Sequence, residues 1–384
     1  MTEQQQFQCT AVLPPGLEAC GADELSELGA TGVKALHRAV GFRTDLAGFY
    51  RLQLQARLPF RLLRQLAVFP CRHREELYAG VQRAVDWSAW LPPELSFRVD
   101  ASGSLPGLTH SHYSALQVKN ALVDWQRERW GERSSVDLDN PDLSIHVHLG
   151  GGQARLSVDG SGESLHRRGY RPRMGLAPLK ENLAAGLIRL TGWDGSVPLA
   201  DPLCGSGTLL IEAACMALGR APGLDHRFAL ERWPDFNGQL WGQALEQAGR
   251  SERQQLADGR PLAPVVGLEL DGEVAHQARA NAEAAGVGHA VSIQSGDFRN
   301  FQPPQGPGVL VCNPPYGERI GDRDALEPLY ADLGRMVKER CSGWDVWLLS
   351  GNPELTGALR MKASRRIPVS NGGIDCRWLH YAVR

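Results

Sequence analysis

The sequence predicts an α/β protein whose C-terminal half is a mostly parallel, doubly wound sheet of the Rossmann-like kind, preceded by small α+β units. Three observations predict it. Before residue 160 the apolar pattern is short and mixed, with strand-like pieces alternating with amphipathic stretches. After residue 175 it changes to a regular rhythm of strand, helix, strand, helix. The polar motifs that could carry chemistry then fall just after apolar strands, at the carboxyl ends where open α/β sheets hold their ligands.

In the first half, Phe7–Leu13, Ser96–Ala101 and Ile145–Val158 have the character of strands, whereas Gly16–Leu28 and Tyr113–Trp130 are amphipathic helical stretches. Ile145, Val147 and Leu149 alternate, which places His146 and His148 on the opposite face before Gly150–Gly152 turns the chain into a second strand. A histidine pair two apart on a strand can ligate a metal; with no further ligand in the sequence, a solvent-facing pair is expected and no metal site is assigned. In the second half, strands are predicted near 197–202, 264–270, 290–295, 309–312, 344–350, 364–369 and 376–383. Helices are predicted at 207–218, 272–286, 324–340 and near 353–361. Residues Arg220–Leu262 interrupt this order as an insertion carrying Trp233, Phe236 and Trp241.

A chain of 384 residues, 42% hydrophobic and 22% charged, can build two or three cores. The longest apolar runs, such as Ala263–Leu268 and Val309–Cys312, are far below bilayer length, and the first twenty residues lack a basic segment followed by an apolar one. A cytoplasmic protein with no membrane partner is expected. Eight scattered cysteines with no C-x-x-C pair read as reduced, mostly buried thiols. The formal charge of −2 excludes a grip on nucleic acid by bulk electrostatics, so any such contact is local. Two places offer it. Leu46–Val85 holds seven arginines against Glu75 and Glu76, and reads first as a solvated face. The segment H-R-R-G-Y-R-P-R sets Arg167, Arg168, Arg171 and Arg173 around Tyr170, and is the denser candidate.

The segment D-P-L-C-G-S-G-T, Asp201–Thr208, follows an apolar strand and opens a helix. Gly205 and Gly207 permit a tight turn and close approach of a ligand to backbone, with free N–H groups at the helix start. A P-loop lysine and the third glycine of a dinucleotide fingerprint are both missing, which points to a different nucleotide-like ligand. The second strand ends in G-L-E-L-D, where Glu269 and Asp271 can accept ribose hydroxyls. The third ends in S-G-D-F, which places Asp297 where an adenine amino group would lie. Each acid alone is an ordinary turn residue. A glycine turn followed by acids at successive strand ends is a joint pattern.

The fourth strand ends V-L-V-C-N-P-P-Y. Pro314 and Pro315 fix their own φ and push the preceding residues towards extended backbone, which holds Asn313 and the carbonyl of Pro314 rigidly. Both are acceptors, and an amino group on an aromatic base has two hydrogens to match them. Accepting both draws electron density to the nitrogen and aims its lone pair at an electrophile such as a sulfonium methyl, with orientation rather than a strong base supplying the effect. Tyr316 offers a face for the base.

These motifs, with S-L-H-R-R-G-Y-R, A-P-L-K-E-N-L-A-A and the inserted R-A-P-G-L…F-A-L-E-R-W-P, resemble the THUMP-domain family of class I RNA methyltransferases that act on guanine N2 of bacterial 23S rRNA. The likeness is specific from about Ser164 to Arg384 and rests on order and spacing before that. It implies a ferredoxin-like unit over 1–58, a THUMP RNA-binding domain over 59–160, a linker at 161–176 and a methyltransferase domain over 177–384, with the insertion at 220–262. It implies S-adenosylmethionine as cofactor, its methionine end held by Asp201, Gly205, Gly207 and Thr208, its ribose by Glu269 and its adenine by Asp297. Cys204, Ser206, Asp271, Phe298 and Asn313 are counted with that site. Asn313, Pro314, Pro315 and Tyr316 are implied at the target base, and Arg167, Arg168, Arg171 and Arg173 at the RNA. Glu269 departs from many relatives, which have aspartate there. Some members carry a second methyltransferase domain that these residues do not match. Lys180 and Glu181 fall in the helix covering the cofactor, or form a surface pair. The expected reaction is methylation of guanine N2, most of all in 23S rRNA. Alternatives are tRNA as substrate, adenine N6 as target, or an inactive RNA-binding assembly factor.

Overall fold

Fourteen strands pair into two separate seven-stranded sheets in the computed structural model, which describes residues 5–171, 179–257, 262–316 and 322–384. The first contains β1 (Phe7–Val12), β2 (Thr31–Leu36), β3 (Ala39–Thr44), β4 (Arg61–Pro70), β5 (Phe97–Gly103), β6 (Leu143–Gly150) and β7 (Gln153–Asp159), in the order β2-β3-β1-β4-β7-β6-β5. Only β5 and β6 run parallel. Strand β4 pairs with β1 on one side and β7 on the other, so a single sheet runs through the whole N-terminal half. Its helices are α1 (Glu18–Glu27), α2 (Leu46–Gln55), α3 (Arg74–Ala84), the short α4 (Trp87–Trp90) and α5 (Ser111–Trp130).

The second sheet holds β8 (Leu199–Asp201), β9 (Val265–Glu269), β10 (Val291–Ser295), β11 (Val309–Cys312), β12 (Asp345–Ser350), β13 (Arg365–Asn371) and β14 (Ile374–Ala382), in the order β10-β9-β8-β11-β12-β14-β13. The first five are parallel and β14 is antiparallel to both its neighbours. Helices α6 (Glu181–Thr191), α7 (Thr208–Ala217), α8 (Gly238–Ala257), α9 (Gly272–Ala284), α10 (Asp322–Arg340) and α11 (Pro353–Gly357) follow in this half. Alternation along the strands builds two cores. Leu199, Val311, Trp347 and Leu349 face one apolar layer, and Ala200, Leu310, Val346 and Leu348 face the other. The chain order reverses between β8 and β11, which opens a crevice at their carboxyl ends.

The strands and helices predicted after residue 175 all form, within a few residues of their expected ends. Six elements of the first half were not predicted: β2, β3, β4, α2, α3 and the short α4. Strand β2 is an exposed edge and β4 is interleaved with arginines, so neither shows a clean period of two. The insertion also packs in an unexpected place. Its α8 and the turn at Ala229–Arg232 join the core of the first half, where Trp233 stacks on Phe49 at 5.7 Å and Trp241 meets Tyr50 at 5.4 Å. All eight cysteines are free and buried. Of the histidine pair, His148 is exposed and bonds Ser102 at 3.0 Å, whereas His146 is half-buried. Among the described residues no helix is long and apolar enough to cross a membrane, and no cluster of metal-ligating side chains occurs.

Candidate active site

Strand β8 ends at Asp201, and the next six residues turn the chain into α7. Gly205 (φ +51°) and Gly207 (φ +80°) both occupy the left-handed region that side chains disfavour. Their surroundings differ. A Cβ on Gly205 would meet nothing within 4 Å, whereas one on Gly207 would press on Ile293 at 3.3 Å and Ala278 at 3.4 Å. Gly205 therefore leaves open room at the strand end, and Gly207 lets the turn seat on the core.

The turn is wired to the neighbouring strand and helix. The Cys204 N–H donates to the Leu268 carbonyl (3.0 Å), the Gly205 N–H to Glu269 Oε2 (3.0 Å), and Asn281 Nδ2 to the Ser206 carbonyl (3.0 Å). Ser206 and Thr208 hydroxyls lie 3.1 Å apart. Asp201 is 2% exposed and accepts from the Leu203 N–H. Burial, with the nearby charge of Glu269, pushes its carboxyl up to about 8.

The acids at the next strand ends divide their work. Glu269 accepts from Gly205 and, through Oε1, from the Asp271 N–H at 3.1 Å, so its carboxylate joins the glycine turn to the end of β9. Asp271 caps α9 by accepting from the N–H groups of Glu273 (2.8 Å) and Val274 (3.3 Å). Of the two, Glu269 is built into the cradle and Asp271 holds a helix end. Asp297 accepts from the Arg299 N–H and pairs with its guanidinium at 3.0 Å, and Arg299 is anchored in turn by Asp332 at 2.6 Å. Phe298, counted with the cofactor site, is buried in the core with Leu310 and Leu333.

At the end of β11, Asn313 Oδ1 is buried and has no hydrogen-bond partner among the described residues. Such an orphan costs stability in the free protein and is normally filled by a ligand, water or ion. The residues after it are fixed by two groups that local sequence does not reveal. The buried Tyr330 of α10 donates its hydroxyl to the Pro315 carbonyl (3.2 Å), and Asn371 of β13 donates Nδ2 to the Tyr316 hydroxyl (2.7 Å). Pro314 is buried, while Tyr316 is half-buried with its ring over Gly351. Residues 317–321, the G-E-R-I-G that completes the motif, lie outside the described residues.

The linker binds this site to the rest of the molecule. Arg171, whose side chain is 4% exposed, pairs with buried Glu181 at 2.6 Å and donates to Thr208 Oγ1 (3.0 Å) and the Leu179 carbonyl (3.1 Å). Arg168, 6% exposed, donates to the carbonyls of Leu165 and Arg57 and lies 3.8 Å from Glu212, which also accepts from the Tyr170 hydroxyl at 3.1 Å. These two arginines were expected to bind RNA. Both are instead buried and committed to internal carboxylates, because the chain passes between the two halves at this point. Arg167 is exposed, and Arg173 lies outside the described residues. Most arginines of Leu46–Val85 are likewise ties rather than a solvated face: Arg57 bonds the carbonyls of Cys215 and Arg220, Arg61 pairs with Asp159, and Arg64 pairs with Asp235 at 2.5 Å. Glu181 does not pair with Lys180, whose ammonium lies over the Phe60 ring at 5.0 Å.

The cradle fits an adenosyl cofactor on two counts: the open space at Gly205, and an unfilled amide oxygen one strand away. A glycine-turn cradle beside a buried, unfilled amide oxygen, at the point where strand order reverses, is the arrangement of an S-adenosylmethionine-dependent methyltransferase. When bound, the cofactor supplies a methyl group already activated on sulfur. The chain's own part is to hold and orient: Glu269 and Asp201 shape the cradle, and Asn313 keeps a buried amide oxygen at the end of the neighbouring strand.

Comparison with known proteins narrows the class. Residues 168–380 match the RMKL-like methyltransferase domain, 71–159 the THUMP domain and 8–63 the RlmL ferredoxin-like domain. The chain belongs to this family of THUMP-containing RNA methyltransferases. A Synechocystis sp. protein, provisionally named an RNA methyltransferase, is 44% identical over 97% of this chain and 96% of its own length. Ribosomal RNA large subunit methyltransferase K/L of Pseudomonas paraeruginosa is 41% identical over 98% of this chain. The chain spans about half the length of such K/L proteins, 53% in that case. SMU.472, provisionally named a methyltransferase and solved with SAH, superposes with a TM-score of 0.86 at 29% identity, covering 100% of this chain and 99% of its own.

Proposed function

We propose that this chain methylates the exocyclic 2-amino group of a guanosine in RNA, with 23S rRNA as the substrate. The observation that carries the reading is Asn313: a buried, unpartnered amide oxygen fixed between β11 and two prolines, beside the cofactor cradle. An aromatic amine is nearly planar, its lone pair delocalised into the ring. An acceptor on one of its hydrogens moves density back to nitrogen without removing a proton. Within a helix the guanine amine is paired or crowded, so the base must be single-stranded or flipped onto Tyr316. The K/L names of relatives speak for large-subunit rRNA, and a THUMP-like half speaks for RNA over DNA. In this reading residues 1–58 are a ferredoxin-like unit, 59–160 the THUMP domain, 161–176 a linker and 177–384 the methyltransferase domain with its insertion at 220–262, working in the cytoplasm.

The test is labelled methyl transfer into total RNA from a strain lacking this protein, followed by nucleoside analysis. N2-methylguanosine in 23S rRNA is the expected product. N6-methyladenosine would move the same geometry to the other base amine, label in tRNA would change the substrate, and no label with cofactor bound would leave an RNA-binding factor.

A further inference from the structure

The turn at residues 14–17, which follows β1 in the N-terminal half, reaches into the C-terminal half. Leu17 is fully buried, and the apolar cluster it belongs to is that of the second sheet, with Leu183, Leu187 and Val369. It fills a notch in α6 at Gly186, where a Cβ would collide with the leucine methyls. Gly16 closes on the backbone of β13 in the same way. Its φ is +90°, and a Cβ there would collide with the Pro368 carbonyl oxygen, so a side chain at this position must push the turn and the strand apart.

Strand β13 is an edge of its sheet, and an edge strand has outward N–H and C=O groups with no neighbouring strand to pair them. Here the Ser370 N–H donates to the Pro15 carbonyl at 3.2 Å. The turn is itself held in shape. The Leu17 N–H donates to the Pro14 carbonyl at 3.2 Å, and Glu18 accepts from the N–H groups of Gly16 (2.9 Å) and Arg38 (3.0 Å). Pro14 and Pro15 fix their own φ, so the Pro15 carbonyl meets β13 already ordered.

The residue after Ser370 is Asn371, buried at 8% exposure, whose amide donates to the Tyr316 hydroxyl at 2.7 Å. The Tyr316 ring, Ile374 and Cys376 all border Gly351, so the β13–β14 hairpin sets the direction of that ring. A line of contacts therefore runs from Pro15 through Ser370 and Asn371 to Tyr316. We propose that the turn at residues 14–17 is a positioning element for methyl transfer: it fixes β13 and, through Asn371, the direction of Tyr316. The inference rests on the reading above that the target base stacks on Tyr316. It gives the N-terminal half a part in the reaction besides any hold on RNA, because that half completes the scaffold of the target-base site.

The test is a double-mutant cycle on the full chain, read by single-turnover methyl transfer into total RNA from a strain lacking this protein, at saturating cofactor and subsaturating RNA. Gly16→Ala, Asn371→Ala and Tyr316→Phe loosen the same ring, and each should slow transfer about 2- to 10-fold, the worth of one hydrogen bond. Cofactor dissociation constants should stay within about twofold of wild type, since the cradle is untouched. Added to Tyr316→Phe, Gly16→Ala should cost less than about a further twofold, because the hydroxyl through which it acts is already gone; a general folding defect would multiply instead. Glu18→Ala, which removes only the side chain that holds the Gly16 N–H and its tie to Arg38, is the gentler variant and should show the same lack of additivity. Effects that multiply, or wild-type transfer by both Gly16→Ala and Glu18→Ala, overturn the role of the turn. Wild-type transfer by Tyr316→Ala overturns the base reading itself, whereas slow transfer by Tyr316→Ala beside normal transfer by Gly16→Ala and Asn371→Ala overturns the turn alone.

Discussion

The two seven-stranded sheets carry function in opposite ways. In the C-terminal sheet, Asp201, Gly205, Glu269, Asp297 and Asn313 all lie within a few residues of a parallel strand's carboxyl end. Parallel strands deliver those ends to one edge, so four short stretches meet there. In the N-terminal sheet and its linker the functional charges are joined across the chain: Arg61 to Asp159, Arg64 to Asp235, and Arg57 to the carbonyl of Arg220. The first arrangement writes chemistry into contiguous motifs. The second uses arginines to fix two halves together and leaves only a few cations for a partner.

The clasp of the linker on the C-terminal half is where this contrast breaks most visibly. Arg171→Ala leaves Glu181 charged and buried without its partner, and loss of one member of such a pair costs about 3–5 kcal/mol in unfolding free energy. Because Arg171 also bonds Thr208 at the start of α7, cofactor affinity should fall with it. Urea unfolding and calorimetry read both. Unchanged cofactor binding would show that the linker clasp and the cofactor cradle are energetically separate.

Within the site, the two acids at the end of β9 sharpen the comparison. Glu269→Ala should raise the cofactor dissociation constant by about 10- to 100-fold, as loss of a charge-assisted hydrogen bond does. Asp271→Ala should cost about 1 kcal/mol of stability through its lost cap and leave the cofactor nearly as tightly held. The reverse ranking by calorimetry would exchange their roles.

A further effect is expected from pH. The Asp201 carboxyl, held near 8 in the fold against an ordinary value of 3.8, stays protonated while the unfolded chain has ionised. Its contribution is therefore full in acid and is lost as pH rises through about 8. The melting temperature of wild type relative to Asp201→Asn should decline from pH 5 to 8 and then level off; a difference that grows with pH would contradict it. Smallest of all is Tyr316→Phe, which removes one hydrogen bond from Asn371, about 0.5–1.5 kcal/mol, and keeps the ring.

What the sequence disclosed follows the same division. The β8–β14 order, the glycine turn and N-P-P-Y were legible because each is a local pattern of apolar run and turn residues. Arg168 and Arg171 were misread because a basic run looks the same whether its partners are phosphates or Glu212 and Glu181, far along the chain or across a turn. Tyr330 and Asn371 left no local sign, since each reaches the motif from another element. The difference between Gly205 and Gly207 depends on which one has Ile293 behind it, and that is set by packing alone.

The central claim is that Asn313 orients the target amine. It is tested by single-turnover methyl transfer with Asn313→Ala at saturating cofactor and RNA. Removing one preorganised hydrogen-bonding group from a reaction site costs about 10²–10³ in rate, so transfer should fall by that factor while the cofactor dissociation constant changes far less. Transfer by Asn313→Ala at the wild-type rate would contradict the account.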